Sequence, residues 1–226
     1  MSNIPLRVWN WFRRFRNRCG YGVHSPSDFY LITFVIYESL PYYAYAGLRE
    51  LRKNLKHLPH YREKVDKLLF RLVNYYRPDL LLELGTGSGL STCYLAAGNT
   101  QMKVLTSSST YVEEVQRLLS YNTRIHYSAE GLDEMIRVWQ ATGTSAVMVH
   151  IAHTPEYKDI FERLLPLVGP QTCFLVGSPY ADEEKKKWWK EIIADERTGV
   201  TFDLYDVGIV LFNKHRIKEN RVVNFF

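Results

Sequence analysis

Several things are scarce in this chain of 226 residues. It holds three cysteines, Cys19, Cys93 and Cys173, far apart and odd in number. That spacing offers neither a disulfide framework nor a zinc site, and it suits reduced thiols in a cytoplasmic setting. No apolar run approaches the length of a membrane span. The N-terminus has no clean apolar stretch of the kind a secretory leader needs. No acid occurs before Asp28, although five arginines do: Arg7, Arg13, Arg14, Arg16 and Arg18. Internal repeats and low-complexity segments are absent. A net charge of +5 points to no particular partner, and 46% hydrophobic with 23% charged residues describes a globular chain.

The early arginines alternate with Val8, Trp9, Trp11, Phe12 and Phe15. Two readings compete. One is a basic amphipathic helix for an anionic surface. The other is a helix that packs its aromatics across the main body and leaves its arginines to solvent. A single short arm with no nucleic-acid motif after it favours the second.

Beyond this arm the pattern becomes regular by degrees. Residues 1–60 are broken by Gly20, Gly22, Pro26, Pro41, Gly47 and Pro59 and read as an N-terminal helical extension. Tyr61, Val65, Leu68, Leu69, Leu72 and Tyr76 recur three or four apart and predict an amphipathic helix, ended by Arg77-Pro78. Strands are expected at Leu80–Leu84, Lys103–Thr106, Arg124–Tyr127, Ser145–Ile151 and Thr172–Val176. Helices between them carry the stripes Val115/Leu118/Leu119, Leu132/Met135/Ile136/Trp139 and Phe161/Leu164/Leu165. Thr110-Tyr-Val-Glu113 has the form of a capping box, and Thr154-Pro155 of an N-cap with proline at the first helical position. Trp188, Trp189, Ile192 and Ile193 mark the buried side of a last helix, on which Lys185–Lys187 reads as a solvated face. Thr201–Tyr205 and Gly208–Asn213 lie too close together for a crossover and predict an antiparallel pair. The sum is an α/β domain over residues 61–226, a Rossmann-like three-layer sandwich with a seven-stranded, mostly parallel sheet and a reversed terminal strand.

The most informative segment is Leu80-Leu-Leu-Glu-Leu-Gly-Thr-Gly-Ser-Gly-Leu90. A strand ends in Glu83, and Gly85, Gly87 and Gly89 come at every second position before a helix begins. Such a turn lets the backbone approach a ligand at the carboxyl end of a parallel strand. A dinucleotide fingerprint wants its third glycine one place later, where Leu90 stands.

Glu83-Leu-Gly-Thr-Gly-Ser-Gly89, the strand order and the reversed last strand together resemble class I S-adenosylmethionine-dependent methyltransferases. Within them the chain is most similar to small-molecule O-methyltransferases of the catechol and caffeoyl-CoA type. His153-Thr-Pro-Glu-Tyr157 resembles their segment after the fourth strand, and Asp206-Val-Gly-Ile-Val210 their final hairpin. Gly22-Val-His-Ser-Pro26 resembles an N-terminal signature of a bacterial group of methyltransferase-like proteins of undefined substrate.

The resemblance implies S-adenosylmethionine as cofactor. Its tail and ribose would lie against Gly85, Thr86, Gly87, Ser88 and Gly89, with Glu83 toward the ammonium end. It also implies a small-molecule acceptor; a second copy of the chain is a further candidate partner, and no nucleic acid is expected. Three acids usual in such families are missing. The end of the second strand reads Thr106-Ser107-Ser108-Ser109, so Ser107 and Ser108 would face the ribose. The fourth strand offers His150, and the fifth ends in Gly177-Ser178-Pro179. A magnesium cluster of oxygen ligands is therefore not expected. Two readings remain. In one the enzyme is metal-independent and His150 or His153 is the base. In the other the fold has lost turnover and binds a ligand or partner without chemistry. Tyr42, Tyr43, Tyr45 and Tyr180 are candidates to line an acceptor pocket, and His24-Ser25 to reach it.

Overall fold

A computed structural model gives the architecture, and it describes residues 4–108, 113–152 and 154–225. The capping-box residues Thr110–Val112 and His153 lie outside the described residues. The N-terminal segment carries α1 (Ile4–Arg13), α2 (Pro26–Leu31) continued by a π turn at Ile32–Ile36, and α3 (Ala44–Asn54). Then come α4 (Glu63–Tyr76), β1 (Leu80–Leu84), α5 (Leu90–Gly98) and β2 (Lys103–Ser107). Next are α6 (Glu113–Ser120), β3 (Ile125–Tyr127), α7 (Leu132–Thr142), β4 (Val147–Ile151) and α8 (Tyr157–Leu164). The chain ends with β5 (Cys173–Gly177), α9 (Glu183–Ala194), β6 (Thr201–Asp203), β7 (Val207–Leu211) and β8 (Asn220–Val222).

The sheet order is β3-β2-β1-β4-β5-β7-β6-β8. Strands β1 to β5 are parallel, and β7 runs antiparallel to both β5 and β6. The sheet thus has eight strands where the sequence predicts seven. The extra strand, β8, is three residues long and joins β6 in parallel at the edge. Its residues, Asn-Arg-Val, carry no alternating apolar pattern, so nothing local announces it.

The period of two divides each strand between two cores. Leu81, Val104, Met148, Cys173, Leu175 and Ile209 face one side, under α4, α5 and the π turn. Leu80, Leu82, Val147, Val149, Phe174 and Val210 face the other, under α7, α8 and α9. Every residue of β1, β4 and β5 is buried, as expected of strands covered on both faces.

Three local expectations are corrected. Helix α8 begins at Tyr157 rather than at Pro155, because Thr154 N–H bonds the Ala152 carbonyl and Thr154 Oγ1 caps a turn at Glu156. Lys185 is not solvated: it is 1% exposed, on the first turn of α9, with its Nζ 5.2 Å from the Tyr157 ring centre. In α1, Arg7 points inward, as does Arg14 just past its end, while Trp9 and Phe12, with Phe15 beyond, point outward. The inward arginines find carboxylates at the end of β6 (Asp203) and on the turn before β7 (Asp206), and that attraction outweighs the apolar stripe.

Candidate functional site

The Gly-rich turn sits at the tip of β1, between the ends of β2 and β4. Gly85, Gly87 and Gly89 have φ of +102°, +55° and +72°. The ladder continues into the turn on both sides: Gly85 and Thr86 N–H bond the Ser107 carbonyl, and Ala152 N–H bonds the Leu84 carbonyl. Gly89 then caps α5. A side chain on Gly87 would meet nothing nearer than the Gly85 carbonyl at 3.9 Å, so the turn leaves open space there. Ser107 and Ser108 are half-buried at the end of β2, while Thr86 and Ser88 are buried.

Glu83 takes a different place from the one expected. It is 1% exposed and points under α5 and away from the turn's surface. Parallel register sets Glu83 level with Thr106 on one neighbour and His150 on the other. Its Oε2 accepts from Thr106 Oγ1 at 2.8 Å and from Thr92 Oγ1 of α5, and its Oε1 accepts from His150 Nδ1 at 3.0 Å. Thr86 Oγ1 joins Thr106 Oγ1 at 2.7 Å, so the carboxylate braces the turn from below.

The network reaches further along α5. Ser91 donates to Asp66 Oδ1 at 2.8 Å, and Arg52 donates to Asp66 Oδ2. Burial lifts the Asp66 carboxyl to about 7, against the pull of Ser91 and Arg52. Arg52 also holds the Tyr61 carbonyl at 2.8 Å. The Tyr61 ring centre stands 6.0 Å from that of His150. Its hydroxyl lies over Gly177, where a Cβ would come within 2.0 Å of it. Burial, with Glu83 and Asp66 nearby, raises the Tyr61 hydroxyl well above its ordinary pKa. Tyr61 Oη and His150 Nε2 are both buried and have no hydrogen-bond partner among the described residues.

Glu83, Thr86, Gly85–Gly89, Ser107 and His150 are therefore brought together at one end of the sheet. Tyr61, Thr92, Asp66 and Arg52 belong to the same cluster, and nothing in the sequence pattern marks them as site residues. The usable signal is register: aligning the apolar strand cores already sets Thr106 and His150 beside Glu83.

The candidate pocket tyrosines go elsewhere. Tyr42 and Tyr45 pack edge-on to Phe70, at 4.8 and 5.1 Å between ring centres, and Tyr43 is exposed. Tyr180 stacks on Tyr205 at 5.0 Å and bonds Asp203 and Arg14. Ser25 caps α2, whose Ser27 and Asp28 line a cleft of about 370 Å³ that also includes Ala146 and Thr172. Those two residues precede β4 and β5, which places the cleft at the opposite end of the sheet from the turn. A second cleft, of about 400 Å³ between Pro170, Phe212 and Lys214, also lies at that end.

No family model matches the chain, and no curated protein matches it. Solved structures do. The O-methyltransferase TomG of Streptomyces achromogenes, in complex with S-adenosylmethionine, is 16% identical with a TM-score of 0.57, over 80% of this chain and 94% of that one. A Podospora anserina methyltransferase bound to S-adenosylhomocysteine is 12% identical with a TM-score of 0.58, over 84% and 96%. A Bacillus cereus O-methyltransferase in complex with S-adenosylhomocysteine is 16% identical with a TM-score of 0.54, over 83% and 97%. At such identities the likeness establishes a shared fold: the chain has the Rossmann-like fold of class I methyltransferases.

Proposed function

We propose that the chain is a metal-independent methyltransferase that binds S-adenosylmethionine at the Gly85–Gly89 turn and methylates a small molecule, most readily at oxygen. The observation that carries this reading is the positive-φ glycine turn at the tip of β1 in a sheet that closes with a reversed β7. Three solved proteins that share this fold, those from Streptomyces achromogenes, Podospora anserina and Bacillus cereus, are complexes with S-adenosylmethionine or S-adenosylhomocysteine.

The residues at the tip suit such a cofactor in part. Gly87 leaves room above the backbone. Ser107 and Ser108 offer a ribose neutral hydroxyls, and bonds of that kind have roughly half the strength of bonds to a carboxylate. Glu83 acts from beneath: through Thr106 and Thr86 it fixes the turn, and its charge favours an ammonium group above without touching it. Bound there, the cofactor supplies a methyl group on a sulfonium. The chain's own part is to hold the acceptor in line and to receive its proton. His153, two residues past the end of β4 in the chain, is assigned that proton. His150 Nε2, buried and without a hydrogen-bond partner among the described residues, is the alternative. Gly177-Ser178-Pro179 brings no carboxylate to the end of β5, which supports a mechanism without a cation.

A second reading, a domain that keeps the fold without turnover, is favoured by two features. All of Glu83's bonding is internal, and the Tyr61 hydroxyl fills the space over Gly177. Titration calorimetry on the full chain with S-adenosylmethionine and S-adenosylhomocysteine decides first. The expected result is saturable heat in the micromolar range, weakened about tenfold or more by Gly87→Val. Absence of heat at millimolar ligand rejects both the cofactor and the enzyme. Binding without release of S-adenosylhomocysteine across an acceptor panel selects the second reading. Activity abolished by EDTA rejects metal independence.

A further inference from the structure

An amphipathic helix in a globular domain ordinarily buries its apolar stripe and shows water its polar one. Helix α1 does the reverse. Its inward stripe is Arg7, Asn10, Trp11 and, one residue past its end, Arg14, spaced three and four apart. Arg7 makes a two-pronged ion pair with Asp206, both bonds 2.8 Å. Arg14 bonds the Asp203 side chain at 2.9 Å and its carbonyl at 3.1 Å, and lies over the Tyr180 and Tyr205 rings. Asn224, in the buried C-terminal tail, donates to the Trp11 carbonyl at 3.2 Å. These contacts set the rotation of the helix about its axis.

That rotation turns Val8, Trp9 and Phe12 to solvent, with Phe15 on the next turn. They are 51%, 61%, 63% and 50% exposed. Scattered apolar residues on a surface are ordinary, but a contiguous aromatic stripe is not. Beside it Arg13, Arg16 and Arg18 are exposed, and no acid occurs in the first 27 residues. Arg18 lies over the Trp11 and Phe15 rings at 5.9 and 5.6 Å. The stripe thus joins an apolar wedge rich in Trp and Phe to a rim of cations. Its complement is a surface with negative headgroups outside and hydrocarbon just beneath.

We propose that α1 docks this protein onto an anionic membrane surface. Val8, Trp9, Phe12 and Phe15 enter the acyl boundary, and Arg13, Arg16 and Arg18 meet lipid phosphates. The helix lies along the interface. At ten residues it is roughly 15 Å long, about half a bilayer core. No helix among the described residues is long and apolar enough to cross a membrane. One short helix gives reversible attachment, and the proposal stands whether or not the domain turns over a substrate.

Flotation of the full chain with vesicles tests it. The chain should rise with phosphatidylcholine vesicles that contain a quarter phosphatidylglycerol, stay down with phosphatidylcholine alone, and release as salt is raised. Arg13→Gln with Arg16→Gln should weaken partitioning about fivefold per arginine. Trp9→Ser with Phe12→Ser should abolish flotation while leaving the melting curve unchanged, since both side chains are more than half exposed. The proposal is overturned if the wild type does not rise with anionic vesicles, rises equally with neutral ones, or is matched by both double variants. It is also overturned if light scattering finds a dimer that Trp9→Ser with Phe12→Ser dissolves, or if a single-stranded oligonucleotide binds more tightly than the vesicles do.

Discussion

The two faces of the sheet treat buried polarity in opposite ways. Under α4 and α5 the buried carboxylates are matched. Glu83 has three donors, Asp66 has two, and the row from Thr86 through Thr106 to His150 is hydrogen-bonded throughout. Among the described residues His150 Nε2 and the Tyr61 hydroxyl, at the tip of the strands, are left without a partner there, as are Arg52 Nε and the Tyr94 hydroxyl on the helices above. Under α8 and α9 the core is apolar, and its one buried cation, Lys185, has no hydrogen-bond partner among the described residues. A matched network fixes geometry, whereas an unmatched charge costs stability.

Removing the centre of each face should sharpen that contrast. Glu83→Ala leaves His150, Thr92 and Thr106 without their acceptor and should cost about 3–5 kcal/mol in urea unfolding, much like removing one partner of a buried ion pair. Phe174→Ala, on the opposite face, should cost a similar 3–5 kcal/mol from lost packing alone. Glu83→Ala at under about 1 kcal/mol would mean that the polar row does not hold the strand tips.

The second effect is a pH dependence. The Asp66 carboxyl is lifted to about 7 in the fold, while the unfolded chain titrates near 3.8. Its folded form therefore favours the proton. Its contribution is full below the unfolded value, fades as pH rises toward 7, and is level above that. Relative to Asp66→Asn, the wild type should lose on the order of 2–4 kcal/mol between pH 4 and 7. A pH-independent difference between the two would refute the assignment.

The third effect is smaller and opposite in sign. Burial lowers Lys185 to about 8, so its charge is a liability below that pH. Lys185→Met should stabilise by about 1–2 kcal/mol at pH 7, with the gain shrinking from pH 8 toward 10.5 as the unfolded lysine also loses its proton.

Much of this is legible in the chain itself. The strands and their helices are read from apolar runs and stripes, and the turn at Gly85–Gly89 from its glycines. The features that escape share a cause: each depends on a partner far away in sequence. Asp206 and Asp203 lie about two hundred residues from the arginines they turn inward. Lys185 is buried by Tyr157 from another helix, β8 exists only because β6 offers an edge, and Tyr61 covers Gly177 across the fold. Within the site, the position of Glu83 can be read, but its engagement with Thr92 cannot, because Thr92 lies on the helix that returns over the strand.

Asn224 also has a wider reach. Besides the Trp11 carbonyl it bonds the Asn17 carbonyl through its N–H at 2.9 Å, and its neighbours Val223 and Phe225 are buried. The first and last segments of the chain are thus laced together at one corner. A protease that clips the tail, or a bulky fusion that pries it out, would unfasten the opening helix as well, so damage at one end of the polypeptide should register at the other.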